Sequence, residues 1–131
     1  MTRAVASLMQ ASPMTVDMDA TLAEVDQVLR THKLSAVPVT DRRNGALLGI
    51  VSARDLAHAV QAGHARRDPA AVHAWELCTY KPVQVSAAAT VGEVARLMIE
   101  HGVHHVVVTD DKGIAGIVSA LDFVRQFSGE A

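Results

Sequence analysis

A chain of 131 residues has room for one domain or two very small ones. Its 12 Lys+Arg against 14 Asp+Glu leave a formal net charge of -2, which argues against a nucleic-acid binder that neutralises many phosphates. Half of the residues are hydrophobic and 20% are charged, which excludes a disordered chain, while 3% aromatics restrict any core to small and aliphatic side chains. No stretch approaches the roughly 18 apolar residues of a membrane span. The N-terminus shows no signal-peptide pattern, so a cytoplasmic protein is the expectation. Cys78 is the single cysteine, which excludes an internal disulfide and a cysteine-rich metal cage. It reads as a small buried hydrophobe.

In chain order, Pro13 leads into a short strand around Val16. Thr21 to His32 then places Leu22, Val25, Val28 and Leu29 on one face at helical spacing. Thr21-x-x-Glu24 is a capping box at the helix start, and His32 suits the dipole at the helix end. Two β-branched runs follow, Ala36 to Thr40 and Leu47 to Val51, with Asp41-Arg42-Arg43-Asn44-Gly45 supplying hairpin chemistry between them. A second helix starts at Ser52 and is expected to end at Gly63. The polar run from Gly63 to Pro69 reads as a linker with Arg66-Arg67 on a solvated face. Trp75 is an anchor, either between modules or buried within one chain.

From Pro82 the pattern starts again. Laying Leu8 on Leu77 also lays Pro13 on Pro82, Val16 on Val85, Thr21 on Thr90, Glu24-Val25 on Glu93-Val94 and His32 on His101. Val39-Thr40-Asp41 falls on Val108-Thr109-Asp110. After a short deletion in the hairpin, Gly49-Ile50-Val51-Ser52-Ala53 matches Gly116-Ile117-Val118-Ser119-Ala120, and Asp55 matches Asp122. The second copy carries Val91, Val94, Leu97 and Met98 on its helix, strands at Val106 to Thr109 and Ile114 to Val118, and a helix from Ser119. Each copy is therefore a β-α-β-β-α unit. A unit of under about 60 residues buries only about 60% of its unfolded surface and is marginal alone. The expected fold class is α/β (α+β), two β-α-β-β-α repeats packed as a pseudo-twofold pair. The expected boundaries are 1–63 for the first repeat, 64–75 for the linker and 76–131 for the second.

The order Pro-x-x-Val, Thr-x-x-Glu, Val-x-Val-Thr-Asp, Gly-Ile-Val-Ser-x-x-Asp, occurring twice, resembles a tandem cystathionine-β-synthase-type (CBS) domain pair, or Bateman module, over about Val5 to Phe127. The resemblance implies a regulatory module that binds AMP, ADP, ATP or S-adenosylmethionine in clefts between the repeats. It also implies a homodimer of pairs, assembled as a flat disc, with an adenine nucleotide as regulatory ligand and no required cofactor.

The resemblance places a ribose-binding Asp and a Ser at Asp55 and Ser52, and again at Asp122 and Ser119. A carboxylate there can accept both hydroxyls of a ribose, and helix-start amides favour anionic groups. The same Ser-x-x-Asp is also a plain capping box, complete without a ligand. Arg54, a planar cation fork suited to phosphate, precedes the first Asp, whereas Leu121 precedes the second. His104-His105 stand in the second repeat where the first has Ser35-Ala36, and similar modules often place His or Arg there, near the ligand phosphates. Thr21 and Thr90 are caps first, and are ligand contacts in some members. A His-His metal site is disfavoured, because adjacent strand residues point to opposite faces.

No nucleophile elbow, glycine-rich phosphate loop or His-Glu-x-x-His run is present, so no catalytic residue and no metal site are expected. The alternative is a ligand-free interaction or scaffold module whose capping boxes are only structural. For the regulatory reading, the target is an unknown separate protein or else the chain is a fragment of a longer one; neither DNA nor membrane is expected as partner. The short leader after Met1 and the Ser128-Gly129-Glu130-Ala131 tail fit a complete small protein.

Overall fold

Thr21 and Thr90 start the two longer helices through the same hydroxyl bond, and Thr21 adds the return half of a capping box. The Thr21 hydroxyl accepts the Glu24 N–H at 3.2 Å while Glu24 Oε1 accepts the Thr21 N–H at 3.1 Å. Thr90 accepts the Glu93 N–H at 3.1 Å. Both helices end on a left-handed residue, Lys33 and Gly102. His32 and His101 occupy the last turns, at the negative end of each helix dipole.

The computed structural model describes residues 3–11, 14–61 and 68–129. Pro13, the helix end expected at Gly63, the Arg66-Arg67 pair and the last two residues lie outside them. In order the elements are a 3-10 turn (Val5–Ser7), β1 (Val16–Asp17), α1 (Leu22–His32), β2 (Ala36–Asp41), β3 (Ala46–Ser52) and α2 (Ala53–Gln61). Then come α3 (Ala74–Leu77), β4 (Thr79–Tyr80), β5 (Gln84–Ser86), α4 (Val91–His101), β6 (His105–Asp110), β7 (Gly113–Ser119) and α5 (Ala120–Ser128). The β-α-β-β-α plan thus occurs twice. One sheet has the order β1-β2-β3-β4 and the other β5-β6-β7. In each, the first strand runs parallel to the second and the second antiparallel to the third.

The chain divides into two compact units that do not follow the sequence repeats. One is Met14–Pro82; the other joins Met1–Pro13 to Val83–Ala131. The first-repeat unit has a core of Val16, Val25, Leu29, Val37, Val39 and Val51, closed by Ala74 and Cys78. The second-repeat unit packs Val85, Val94, Met98, Val106, Val108 and Val118 around a fully buried Val5. Val5 and Ala74 both come from the stretch that precedes a repeat. Each such stretch acts as a strap across a unit.

The straps bond through the backbone at matching places. The first free amide of α1, on Leu22, donates to Val72 O at 2.7 Å, and that of α4, on Val91, donates to Arg3 O at 2.8 Å. His73 bridges Thr21, and Ala4 bridges Thr90. Further along, Thr79 pairs with Ile50 and Gln10 bridges Ile117. This approach explains the repeated glycine. A Cβ on Gly49 would stand 2.5 Å from Thr79 O and 2.8 Å from Cys78 Sγ, and one on Gly116 would overlap Gln10 O with Met9 Sδ at 3.0 Å.

Pro38 accounts for a difference between the sheets. In the second-repeat unit the equivalent Val107 donates its N–H to Val83 O at 3.0 Å. Proline has no N–H to donate. The first strand is accordingly Val16–Asp17 in one sheet and the longer Gln84–Ser86 in the other.

Candidate functional site

Strand β3 delivers Ser52 to the start of α2, and β7 delivers Ser119 to the start of α5. Both serines are buried polar residues, so their groups need partners. Ser52 N–H and Oγ–H both donate to Asp55 Oδ2, at 2.7 and 3.0 Å, and Ser52 Oγ accepts the Asp55 N–H at 3.1 Å. Ser119 N–H and Oγ–H donate to Asp122 Oδ2 at 2.7 and 3.2 Å. Each carboxylate is therefore held in one orientation from its Oδ2 side. The Ala53 N–H is already bound by Ser35 O and the Ala120 N–H by His104 O, both at 2.9 Å. What each helix start offers an incoming group is chiefly a fixed carboxylate.

Arg54 lies in the first turn of α2, with Nε 3.5 Å from His58 Nε2. Its counterpart Leu121 is an exposed apolar residue on α5. His105 sits directly across from Ser119 in the β6–β7 register, as Ala36 sits across from Ser52. Cross-strand partners share a face, so His105 belongs with Ser119 and Asp122. His104 is the more exposed neighbour, and its carbonyl is tied to α5.

Thr21 and Thr90 are elsewhere. Asp17, just before Thr21, pairs with Thr40 at one end of β2, whereas Ser52 pairs with Ala36 at the other. That separation is four strand positions, about 13 Å at the usual rise. The same holds for Ser86 with Thr109 and His105 with Ser119. Within each unit the threonine cap and the Ser-x-x-Asp box occupy opposite ends of the sheet. The cap lies instead beside the strap, at His73 or Ala4.

Spacing missed three residues near these boxes. His73, which bridges Thr21, sits with Nδ1 3.5 Å from Glu76 Oε1. Arg125 lies beside Asp122, NH1 to Oδ1 3.6 Å, and the i,i+3 spacing carried that signal. Tyr80 donates its hydroxyl to Trp75 O, and Trp75 is 43% exposed rather than buried, with its own N–H on Met18 O. Cys78 is buried, and burial pushes its thiol pKa up, away from reactivity. Among the described residues no three His, Cys, Asp or Glu side chains are grouped to hold a metal ion. No described helix is long and apolar enough to cross a membrane.

The pattern of boxes, caps and paired units also meets a family description. The CBS domain matches residues 5–62 and again residues 74–129. The chain belongs to the CBS-domain family. Among relatives of this CBS pair, the uncharacterised protein YlbB of Bacillus subtilis is 36% identical over 94 residues, covering 72% of this chain and 62% of YlbB. Inosine-5'-monophosphate dehydrogenase of Bifidobacterium longum is 27% identical over 118 residues, 89% of this chain but 21% of the enzyme. The chain thus spans under two thirds of YlbB and about a fifth of the dehydrogenase. Among solved structures, the CBS domain pair of protein MJ0100, in complex with 5'-methylthioadenosine and S-adenosylmethionine, superposes with a TM-score of 0.84. It is 25% identical, and the match covers 100% of both chains.

Proposed function

We propose that this CBS pair is a regulatory module that binds an adenosine-containing ligand, with Asp55 and Asp122 accepting ribose hydroxyls. The observation that carries the reading is the fixed carboxylate. Asp55 is oriented through Oδ2 by Ser52, and among the described residues its Oδ1 accepts no hydrogen bond. A ribose diol is a neutral two-donor group, and a charged acceptor strengthens such bonds. The similarity to the MJ0100 pair, solved with two adenosine compounds, supports the same ligand class. Arg54 would meet a phosphate at the first-repeat box, and His105 with His104 would do so at the second. The ligand is AMP, ADP, ATP or S-adenosylmethionine. Occupancy is passed through a cytoplasmic homodimer to an unknown target, and the module performs no catalysis of its own.

A thermal-shift panel on ligand-stripped protein tests this, using AMP, ADP, ATP, S-adenosylmethionine, NAD and GTP with and without magnesium. A ligand at about 100 times its Kd adds roughly 2.7 kcal/mol, several degrees in Tm for a chain of this size. The expected result is a shift with an adenine nucleotide that is lost from the first site in Asp55→Ala. One observation favours a second reading, a ligand-free scaffold: both Ser-x-x-Asp boxes close on themselves. A flat panel on folded, empty protein would select it.

A further inference from the structure

Among the described residues, an ion pair to the box carboxylate is seen at Asp122 and none at Asp55. In the first-repeat unit, Arg54 precedes Asp55, and its Nε is directed one turn along α2 to His58 Nε2, 3.5 Å away. Asp55 Oδ2 takes both serine bonds, and among the described residues Oδ1 takes none. In the second-repeat unit the residues equivalent to Arg54 and His58 are Leu121 and Arg125. Leu121 offers no charge at the front of the helix. Arg125 instead faces back to its own carboxylate, with NH1 3.6 Å from Asp122 Oδ1. Oδ2 of Asp122 takes the serine bonds, so one oxygen faces donors at the helix start and the other faces Arg125, three residues further along α5.

We infer that Arg125 is a positioning residue that holds back the second-repeat carboxylate, leaving the first repeat as the stronger ribose acceptor. This assignment rests on the reading of both boxes as adenosine-ligand sites. A vicinal diol brings two donors. At Asp55 one oxygen takes no bond from the described residues; at Asp122 the diol competes with the Arg125 guanidinium. The size of the effect is bounded by exposure. The Arg125 side chain is 55% exposed, and an exposed ion pair changes an equilibrium by about two- to fivefold. Arg125 therefore tunes the site rather than closing it.

The test titrates adenosine and 2'-deoxyadenosine into the full chain by calorimetry. Neither probe carries a phosphate, so Arg54 and the histidines contribute no phosphate contact. Asp55→Asn isolates the second-repeat site, and Asp122→Asn isolates the first. The expected result is tighter adenosine binding, and a larger adenosine to 2'-deoxyadenosine ratio, in Asp122→Asn than in Asp55→Asn. Adding Arg125→Gln to Asp55→Asn should raise adenosine affinity about two- to fivefold, with 2'-deoxyadenosine little changed. Arg125→Lys should keep the weaker binding.

An Arg125→Gln chain with unchanged or weaker adenosine binding overturns the assignment. So does a fall in Tm with no movement of the ratio, which is the signature of a purely structural pair. Equal binding of the two nucleosides in both aspartate variants removes diol recognition, and this assignment with it, while the adenosine reading survives. Absence of binding to the unaltered chain removes both.

Discussion

The first-repeat unit and the second-repeat unit are strapped alike and filled differently. At equivalent points Val72 O and Arg3 O bind a helix-start amide, His73 and Ala4 bridge a threonine, and Thr79 and Gln10 reach the third strand. The side chains at those points share almost nothing: Ala74 stands for Val5, Cys78 for Met9 and Thr79 for Gln10. One strap makes a short helix and a two-residue strand, the other a 3-10 turn and an isolated bridge. What the units hold in common is the backbone contact together with the glycine that leaves room for it. A backbone contact constrains side-chain identity weakly, so the strap bonds persist while the side chains around them differ.

The sharpest way to break the comparison is to refill the space under each strap. Gly116→Ala and Gly49→Ala should each cost about 1–3 kcal/mol, the usual penalty for overpacking a site where backbone cannot give way. Hydrogen exchange would then rise at the Gln10 and Ile117 amides in the first variant, and around Thr79 and Ile50 in the second. Equal exchange in both units after a single substitution would show that the straps are not separate features.

Next in size is a side-chain contribution that the two straps place at different points. Val5 is fully buried, so Val5→Ala should destabilise by about 2 kcal/mol from two lost methyl groups and the residual cavity. Its counterpart Ala74 is also fully buried, and the first-repeat strap buries its valine at Val72 instead, where the other strap has the exposed Arg3. Denaturant unfolding of Val5→Ala checks the magnitude. A change below about 0.5 kcal/mol, typical of a surface site, would mean that the backbone bonds alone hold the strap.

The smallest effect separates the two hairpins. Asp41 accepts the Arg43 N–H at 3.0 Å and its guanidinium at 2.8 Å, and these bonds lower its pKa from 3.8 to about 2. A carboxylate with a lowered folded pKa adds stability above its unfolded value and loses it as pH falls. The contribution should therefore be whole above about pH 4 and fade toward pH 2. Arg43 is largely exposed, so salt will weaken it. Unfolding midpoints between pH 5 and 2 should fall less steeply in Asp41→Asn than in the unaltered chain. Parallel slopes would remove this hairpin from the acid response.

Much of this was legible in the residues. The two β-α-β-β-α copies follow from local periodicity, and the Thr-x-x-Glu and Ser-x-x-Asp boxes are chemistry confined to a single turn. The box geometry at Ser52 and Asp55 needs only residues three apart, which is why spacing alone located it. His105 could be placed near Ser119 once β6 and β7 were paired, because register fixes the face. The straps could not be read. They rest on amide and carbonyl groups that every residue carries, and their elements are too short to show a period. The ends of the sheet were equally hidden. Thr21 and Ser52 look like parts of one site in sequence, and only the parallel pairing of β1 with β2 separates them.

The order of the two units along the chain has a mechanical consequence. Met14–Pro82 lies, in sequence, wholly inside the other unit, which owns both Met1–Pro13 and the run to Ala131. A pull on the two ends therefore loads the second-repeat unit first, as a force between the leading strap and the remainder that holds it. The inner unit bears no tension until that strap lets go. Rupture should begin at the Arg3, Val5 and Gln10 backbone bonds and pass inward as a second event, giving an ordered two-step extension from a duplicated fold.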